Sequence, residues 1–251
     1  TTFHSTMPPK AFMYGIPYEV YERFKVRKYG FHGTSHKFVS EETAKILGTE
    51  NCRLIICHLG NGSSISAVKD GKCQDTSMGF TPLEGLVMGT RSGDIDPAAV
   101  DYMRVKLGLK PEEVVDYLNK KCGMLGISGL SSDCRDLTAA MEKGDERARL
   151  ALEMTAYRVK KYVGSYAAAL GGADAIVFTG GIGEHSPLIR DLVLRDMEYM
   201  GVEYDAAANA AYPHAGVGVL SKPSSKVKVL IVPTNEELSI ARETVELTKK
   251  A

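Results

Sequence analysis

Residues 53–76, RLIICHLGNGSSISAVKDGKCQDT, carry the clearest signals of the fold. The apolar run over 53–57 predicts a buried strand, and a second strand follows over 63–68, where Ile65 and Ala67 alternate with serines. Asp70-Gly71 predicts a tight hairpin into a third strand over 72–76. A glycine-rich turn over 58–62 joins the first two strands, so these residues predict a three-stranded unit.

Outside this unit, helical patterns alternate with short apolar runs. Helices are predicted over 41–47, 97–107, 111–120, 134–143, 145–170 and 187–201, with strands over 174–179 and 226–232. Residues 1–38 are predicted to be irregular, residues 180–183 to form a tight turn, and residues 234–237 to form a capping box that opens a terminal helix. This alternation indicates an α/β fold. The order of strand, glycine-rich turn, strand, hairpin and strand is typical of ribonuclease-H-like nucleotide-binding domains.

The composition limits the class of protein. The chain has 251 residues, 44% hydrophobic and 25% charged, enough for a sizeable core. Lys+Arg and Asp+Glu are both 31, so net charge predicts neither a nucleic acid nor an anionic membrane as partner. Five cysteines without a CxxC pair argue against a disulfide framework or a zinc site. Because the sequence also shows no secretory signal and no membrane-spanning apolar run, we expect a cytoplasmic protein.

Three short segments combine glycine with cationic or imidazole side chains. They are residues 31–36 (FHGTSH), 58–64 (HLGNGSS) and 90–94 (TRSGD). Glycine lets the backbone approach an anion closely and point N–H groups at it. Arg and His supply donors for phosphate oxygens. The three segments together predict a phosphoryl-transfer site, although a plain hairpin turn is the alternative for 58–64 alone.

A second glycine-rich turn follows the predicted strand over 174–179. Its glycines at 180, 181 and 183 would admit close approach of a ligand, and the N-terminus of the helix that follows would attract anions. A single match of this kind is weak. Two such turns on separate strands of one α/β domain favour nucleotide binding.

Arg91 and His32 are candidates for contact with a transferred phosphoryl group. A guanidinium in a Gly/Ser/Thr loop can bind phosphate through two nitrogens, and the alternative is a surface ion pair of Arg91 with Asp94 or Asp96. His32 and His36 have the i, i+4 spacing of zinc ligands on a helix. Gly-Thr-Ser between them argues against a helix, so we favour a His32 that donates to phosphoryl, with a structural histidine as the alternative.

Two further groups lie at predicted helix starts. Asp133 and Arg135 could hold a ribose and flank a base, or could form a helix-capping ion pair. Glu236 could hold Mg²⁺ directly or through water, because Glu237 occupies the capping-box position and leaves Glu236 free.

Taken together, the segments closely resemble the acetate kinase family. The match is carried, in consistent order over nearly the whole chain, by residues 31–36, 58–64, 75–85 (DTSMGFTPLEG), 88–97, 178–184 and 233–237. The resemblance implies a fold of the actin-like, sugar-kinase-like ATPase superfamily, with a ribonuclease-H-like mixed sheet flanked by helices. It also implies reversible, Mg²⁺-dependent transfer of a phosphoryl group between ATP and acetate, giving acetyl phosphate and ADP, usually in a homodimer.

The same resemblance implies roles for individual residues. His32 and Arg91 look like transition-state stabilisers, Phe31 and Pro82 like part of the acetate pocket, and Glu236 like the Mg²⁺ residue. The implied ATP/ADP-binding residues are His58, Leu59, Gly60, Asn61, Gly62, Asp133, Cys134, Arg135, Gly181, Ile182, Gly183, Glu184 and His185. The last of these, His185, stands where family members usually have Asn.

The resemblance also predicts that part of the family's chain is missing. Family members carry an amino-terminal domain, with a phosphate loop and a catalytic aspartate, before a Thr-x-Phe-His motif that here begins at Thr1. We expect an interdomain segment and the start of the carboxy-terminal domain over 1–38, the nucleotide-binding carboxy-terminal domain over 39–233, and a terminal helix over 234–251 that packs on the absent domain. The helix is then expected to be exposed, repacked or covered by another chain, and the apolar side chains concerned are Leu238, Ile240, Ala241, Val245 and Leu247.

Three interpretations of function follow. The first is the carboxy-terminal part of an acetate kinase, and the second is a nucleotide-binding module that is inactive without the amino-terminal half. The third is a propionate or butyrate kinase. One methylene group changes binding by only about 1–3 kcal/mol, so the sequence does not separate acetate from its longer homologues.

Overall fold

A mixed β-sheet forms the centre of the computed structural model, which describes residues 2–249 apart from the side chains at 243, 246, 247 and 249. The strands are β1 (Arg53–Leu59), β2 (Ser63–Lys69), β3 (Lys72–Thr76), β4 (Ala175–Thr179), β5 (Gly218–Val219) and β6 (Lys228–Ile231). They lie in the order β3-β2-β1-β4-β6-β5. Strands β1, β4 and β6 are parallel, whereas β2, β3 and β5 run antiparallel to their neighbours. The predicted α/β class with a mixed sheet is confirmed.

Helices flank this sheet on both faces. They are α1 (Pro9–Phe12), α2 (Tyr18–Phe24), α3 (Gly33–Leu47), α4 (Pro97–Leu107), α5 (Val114–Lys120), α6 (Gly123–Ser128), α7 (Cys134–Glu142), α8 (Glu146–Leu170), α9 (Gly180–His185), α10 (Pro187–Leu194), α11 (Ala206–Ala211) and α12 (Glu236–Lys249). Short 3₁₀ helices span Thr2–Thr6, Pro111–Glu113 and Glu198–Met200. Within residues 2–249, no helix combines the length and apolar character that crossing a membrane requires.

Strand β1 is buried on both sides, which explains its continuous apolar sequence. Leu54 and Ile56 face a core shared with α3, and Ile55 and Cys57 face the larger core under α8. Full burial of such a side chain stabilises the fold by about 1.5–3 kcal/mol. Because its side chains point alternately to the two faces of the sheet, β1 packs against both layers of helices.

The predicted hairpin between β2 and β3 is confirmed. Asp70 and Gly71 both have positive φ, at 50° and 70°. Two successive left-handed residues are the geometry of a type I′ turn, which matches the twist of the strands that it joins.

The amino-terminal segment is more regular than predicted. Residues 2–38 contain a 3₁₀ helix, α1, α2 and the first turns of α3, which begins at Gly33 rather than at residue 41. The His36 N–H donates to the carbonyl oxygen of His32 at 2.9 Å, so the prediction that Gly-Thr-Ser would not be helical is wrong. Burial of Phe38 and Val39 against β1 outweighs the weak helix propensity of those three residues.

Three further boundaries differ from prediction. Residues 180–185 form α9 rather than a tight turn, because the buried Arg190 guanidinium donates to the carbonyls of Gly183 and Glu184 at the end of that helix. Helix α10 ends at Leu194 rather than at residue 201. Asn235 Oδ1 accepts from the Leu238 N–H at 2.9 Å, so Asn235 caps α12 and the predicted capping box at 234–237 is wrong.

Helix α12 carries exposed apolar side chains, as predicted. Leu238 is 37% exposed, Ile240 56% and Val245 50%, and Ala241 is also exposed. Leu247, which belongs to the same prediction, lies outside the described side chains, as Thr1 lies outside the described residues. What covers this face in the protein, and the proposed division at residues 38 and 233, stay predictions.

Candidate active site

The carboxyl ends of the three parallel strands meet at one edge of the sheet. β1 runs into residues 60–62, β4 into α9, and β6 into residues 232–235 and α12. Gly180 has a φ of +77°, and a Cβ there would lie 2.8 Å from the Leu59 carbonyl oxygen. The Thr234 N–H donates to Glu184 Oε1 at 3.4 Å. Open α/β sheets bind ligands at this edge, so the fold places a candidate site here.

A cavity of about 920 Å³ opens beside this edge. Sequence-predicted residues in its wall are Gly60, Asn61, Asp133, Cys134, Arg135, Gly181, Ile182 and His185. They come from three separate parts of the chain, which the sheet and α7 bring together. A cavity of this size is typical of small-molecule and cofactor sites.

Other predicted nucleotide residues lie behind the wall. Leu59 is in the core under α8, and Gly183 packs on β1 with the Cys57 carbonyl 3.5 Å from where a Cβ would stand. The Glu184 carboxylate turns back and accepts from the Gly180 N–H at 2.9 Å, which closes the first turn of α9. These residues shape the site through the backbone, whereas His58 and Gly62 belong to a second cluster.

The wall also contains residues that sequence reasoning missed. They are Ser132, Thr138, Ala139, Met141, Glu142, Ser186, Pro187 and Leu188. A signal was available for α7, because Cys134, Thr138 and Met141 have the i, i+4, i+7 spacing of one helix face. For Ser186–Leu188 the only signal was proximity in sequence to His185.

The second cluster joins His32, Gly62 and Arg91. A Cβ built on Gly62 would lie 3.3 Å from Arg91 Nη1 and 3.7 Å from His32 Nε2. Both nitrogens therefore border the same space, which is open because residue 62 has no side chain. Arg91 Nη1 donates to the Pro82 carbonyl at 3.3 Å, so Pro82 lies beside this space, and Phe31 is half-buried next to His32 in the chain.

The alternative of an Arg91 ion pair with Asp94 or Asp96 does not occur. Asp94 accepts from Tyr162 Oη at 2.7 Å and is paired with Arg158 at 3.3 Å. Asp96 caps α4 by accepting from the Ala98 N–H at 2.8 Å. Among the ion pairs of the described residues, none includes Arg91. Within the part of the chain that the structure describes, no carboxylate therefore compensates the charge of Arg91.

The histidines of this cluster are held by hydroxyls and by each other. Ser64 Oγ lies 2.9 Å from His32 Nδ1, and Ser35 Oγ lies 2.8 Å from His58 Nδ1. The rings of His32 and His58 stack with centroids 4.2 Å apart. Burial, aided by the Arg91 charge, lowers the pKa of His32 to about 4, and burial lowers the pKa of His58 to about 3. Both rings are therefore neutral near pH 7.

The two remaining predicted groups are at the surface. Arg135 Nη2 pairs with Asp133 Oδ2 at 2.6 Å, and Asp133 also accepts from the Arg135 N–H as cap of α7. These hydrogen bonds lower the pKa of Asp133. Glu236 is exposed at the first residue of α12. The described residues contain no cluster of three or more metal-ligating side chains, and a lone carboxylate fits Mg²⁺ that is also held by substrate phosphates.

The model of the acetokinase family matches residues 1–242. The acetate kinase of Caldicellulosiruptor bescii is 60% identical over all of this chain and 63% of its own length. The crystal structure of Porphyromonas gingivalis acetate kinase superposes with a TM-score of 0.96 at 48% identity, over 99% of this chain and 62% of that one.

A propionate kinase from Francisella tularensis is also similar, with a TM-score of 0.89 and 46% identity over 96% of this chain and 61% of that one. The chain thus spans less than two thirds of the length of these relatives. The family model nevertheless covers nearly every residue, and the fold agrees with that of the acetate kinase structure. The chain belongs to the acetokinase family.

Proposed function

We propose that the protein carrying this chain catalyses reversible phosphoryl transfer between ATP and acetate, giving acetyl phosphate and ADP. The observation that carries the proposal is the approach of His32 Nε2 and Arg91 Nη1 to one open space over Gly62. Similarity to acetate kinases over the whole chain supports acetate as the acceptor.

The 920 Å³ cavity is the proposed site of the nucleotide. Ile182, Met141 and Leu188 supply apolar wall for a base, and Asp133 and Arg135 supply polar groups at the rim. The glycines at 60 and 181 leave backbone close to the ligand. This division into apolar wall and few polar groups is usual for nucleotide-sized ligands.

Arg91 and His32 are proposed to stabilise the charge of the transferred phosphoryl group. In-line transfer needs little covalent chemistry from the protein, so positioning and neutralisation of the equatorial oxygens do most of the work. Arg91 can offer its charge because no carboxylate of the described residues takes it. Removal of one such donor typically lowers the rate by about 10²–10³-fold.

Mg²⁺ is the proposed metal, and Glu236 is the residue proposed to hold it. When bound, Mg²⁺ would neutralise charge on the nucleotide phosphates. Glu236 lies at the start of α12, directly after the chain leaves the edge where β1, β4 and β6 end. A free carboxylate at this position is consistent with a metal shared between protein and phosphates.

The partners follow from the same proposal. We infer that the exposed apolar face of α12 packs on an amino-terminal domain, that the protein acts as a homodimer, and that it works in the cytoplasm. Exposure of Leu238, Ile240 and Val245 supports the first inference. An isolated module that binds ATP without transferring phosphate is the alternative for a chain that lacks such a domain.

A longer carboxylate is the second candidate substrate. The similarity to a propionate kinase, at 46% identity, is the observation that favours it. An apolar pocket distinguishes two substrates that differ by one methylene group by about 10–200-fold in kcat/KM. Comparison of kcat/KM for acetate, propionate and butyrate decides among the three.

The test is acyl phosphate formation by the protein expressed from its complete coding sequence. With MgATP and each carboxylate, hydroxamate detection is expected to give acyl phosphate, most rapidly with acetate. Arg104→Ala, which removes a half-buried arginine paired with the exposed Asp101 on α4, serves as the control and should leave the rate unchanged. Absence of product with all three carboxylates, while calorimetry shows ATP binding, would leave the binding-module interpretation.

A further inference from the structure

One hydroxyl joins two histidines behind the candidate phosphoryl site. Ser64 Oγ lies 2.9 Å from His32 Nδ1 and 2.7 Å from His36 Nε2. Ser64 and His36 are fully buried. A serine hydroxyl has one hydrogen, so it can donate to one of these rings and must accept from the other if both hydrogen bonds form.

Both rings carry one proton each. Burial holds the pKa of His36 well below its usual range, with smaller contributions from His4 and His58, and that of His32 is about 4. A neutral imidazole has one N–H and one bare nitrogen. Two proton arrangements therefore satisfy both contacts, and they differ in which nitrogen of His32 is protonated.

The other nitrogen of His36 distinguishes the two arrangements. His36 Nδ1 is buried and has no hydrogen-bond partner among the described residues. A proton on Nδ1 would strand a buried donor, which is rarer and costlier than an unused acceptor. The proton of His36 therefore belongs on Nε2, where Ser64 accepts it.

The remaining protons follow from this choice. Ser64 then donates its hydrogen to His32 Nδ1, so the only proton of His32 lies on Nε2. That nitrogen is the one that borders the open space over Gly62 next to Arg91. The reverse arrangement would present a lone pair there, which would repel a phosphate oxygen.

We propose that Ser64 and His36 are positioning residues that set the tautomer of His32, so that a neutral imidazole presents its N–H to the transferred phosphoryl group. This role rests on the proposed function, but the tautomer itself does not. It is a property of the protein without substrate and can be measured directly.

The first measurement is ¹⁵N NMR of the histidine-labelled protein, with His32 assigned from the His32→Gln variant. We expect a pyridine-type shift for Nδ1 of His32 and a pyrrole-type shift for Nε2, with Nε2 of His36 also pyrrole-type. The opposite pattern at His32 would overturn the proposal. It would mean that Nε2 of His32 carries no proton and accepts a hydrogen bond from the Arg91 guanidinium.

The second measurement uses matched variants of the protein expressed from its complete coding sequence. Ser64→Ala and His36→Leu are expected to mix the tautomers of His32 and lower kcat by about 10–10²-fold, with KM for ATP nearly unchanged. His36→Gln retains an amide donor toward Ser64 and should recover most of the loss. If Ser64 and His36 were only structural, Ser64→Ala and His36→Leu would not change the NMR pattern of His32. His36→Gln would then not restore kcat either.

Ser66→Ala is the control. Ser66 lies two residues along β2, is equally buried, and bonds His4 at 3.2 Å rather than a histidine of the site. It should change stability as Ser64→Ala does but leave kcat and the His32 spectrum unchanged. Unchanged turnover in a folded Ser64→Ala would overturn the proposal. If the unaltered protein makes no acyl phosphate, the proposed function fails, and the NMR pattern still decides the tautomer.

Discussion

The two arginines of the candidate site differ in burial and in whether a carboxylate pairs with them. Arg91 is half-buried and donates to the Pro82 carbonyl and the Met88 sulfur, with no carboxylate partner among the described residues. Arg135 is 90% exposed and held by Asp133 at 2.6 Å. A partly desolvated guanidinium without a counter-ion is available to an anion, whereas a paired and hydrated one is already compensated. Residue type alone therefore does not identify a phosphate ligand.

The largest expected effect is that of Arg91→Ala. We predict that kcat for acyl phosphate formation falls by about 10³-fold or more, because one charged donor to the transferred group is lost, while affinity for ATP changes little. Arg91→Lys should recover only part of the rate, since Lys lacks the planar pair of donors. Steady-state kinetics and calorimetry measure both quantities. Unaltered turnover in Arg91→Ala would remove this residue from the mechanism.

The pH dependence of stability tests the burial of four histidines whose rings contact one another in sequence, from His4 through His36 and His58 to His32. Burial lowers the pKa of His4, His32, His36 and His58 in the folded protein below the value of about 6.5 expected in the unfolded chain. The unfolded state then binds more protons, so stability is full above pH 6.5 and decreases as the pH falls toward 4.

Each of these histidines contributes up to about 1.4 kcal/mol per pH unit to that decrease. Urea unfolding between pH 7 and 5, where most carboxylates stay ionised, measures the slope. His4→Asn should reduce the slope by the share of one group. A free energy of unfolding that is flat over this interval would contradict the buried, neutral cluster.

Gly180 and the cavity-lining Gly181 are neighbours in the chain, but only Gly180 has close backbone around it. Gly180 has a φ of +77° and a Cβ there would lie 2.8 Å from the Leu59 carbonyl oxygen, whereas a Cβ at Gly181 would meet nothing within 4 Å. We predict that Gly180→Ala destabilises the protein by about 1–3 kcal/mol. Gly181→Ala, the matched control, should be neutral or slightly stabilising because alanine favours a helix. Equal free energies of unfolding for the two variants would show that the backbone at 180 relaxes.

The smallest expected effect is that of Arg135→Ala. Exposed ion pairs contribute little, so we predict a change in affinity for ATP of about fivefold or less and no change in kcat. Calorimetric titration of the variant checks this value. A much larger loss would mean that the Asp133–Arg135 pair opens and that the guanidinium binds the nucleotide itself.

Much of the fold was predictable because its signals are local. The Asp70-Gly71 turn, the cap of α8 at Asp145 and the proline at the start of α4 act within a few residues of themselves. The start of α3 and the helical form of α9 were not predictable in this way. The first depends on packing against β1, and the second on a hydrogen bond from Arg190, seven residues further along the chain.

The candidate site, like the fold, was predictable only in part from the sequence. Glycine-rich segments and the residues His32 and Arg91 were recognisable in the sequence, and so was the family. The side of α7 that lines the cavity, and the link through Ser64, were missed because they depend on which faces meet across the sheet.

The sequence was sufficient for the three-stranded unit with its hairpin, the α/β class and the family, because these depend on residue type and local spacing. That Arg91 has no carboxylate partner among the described residues, whereas Arg135 has one, depended on packing between distant parts of the chain. Packing also places the hydroxyl of Ser64 on β2 within hydrogen-bond distance of His32, the residue before α3, and of His36 in the first turn of that helix. Charge compensation and proton placement depend on neighbours far apart in the chain, and folding alone brings those neighbours within hydrogen-bond distance.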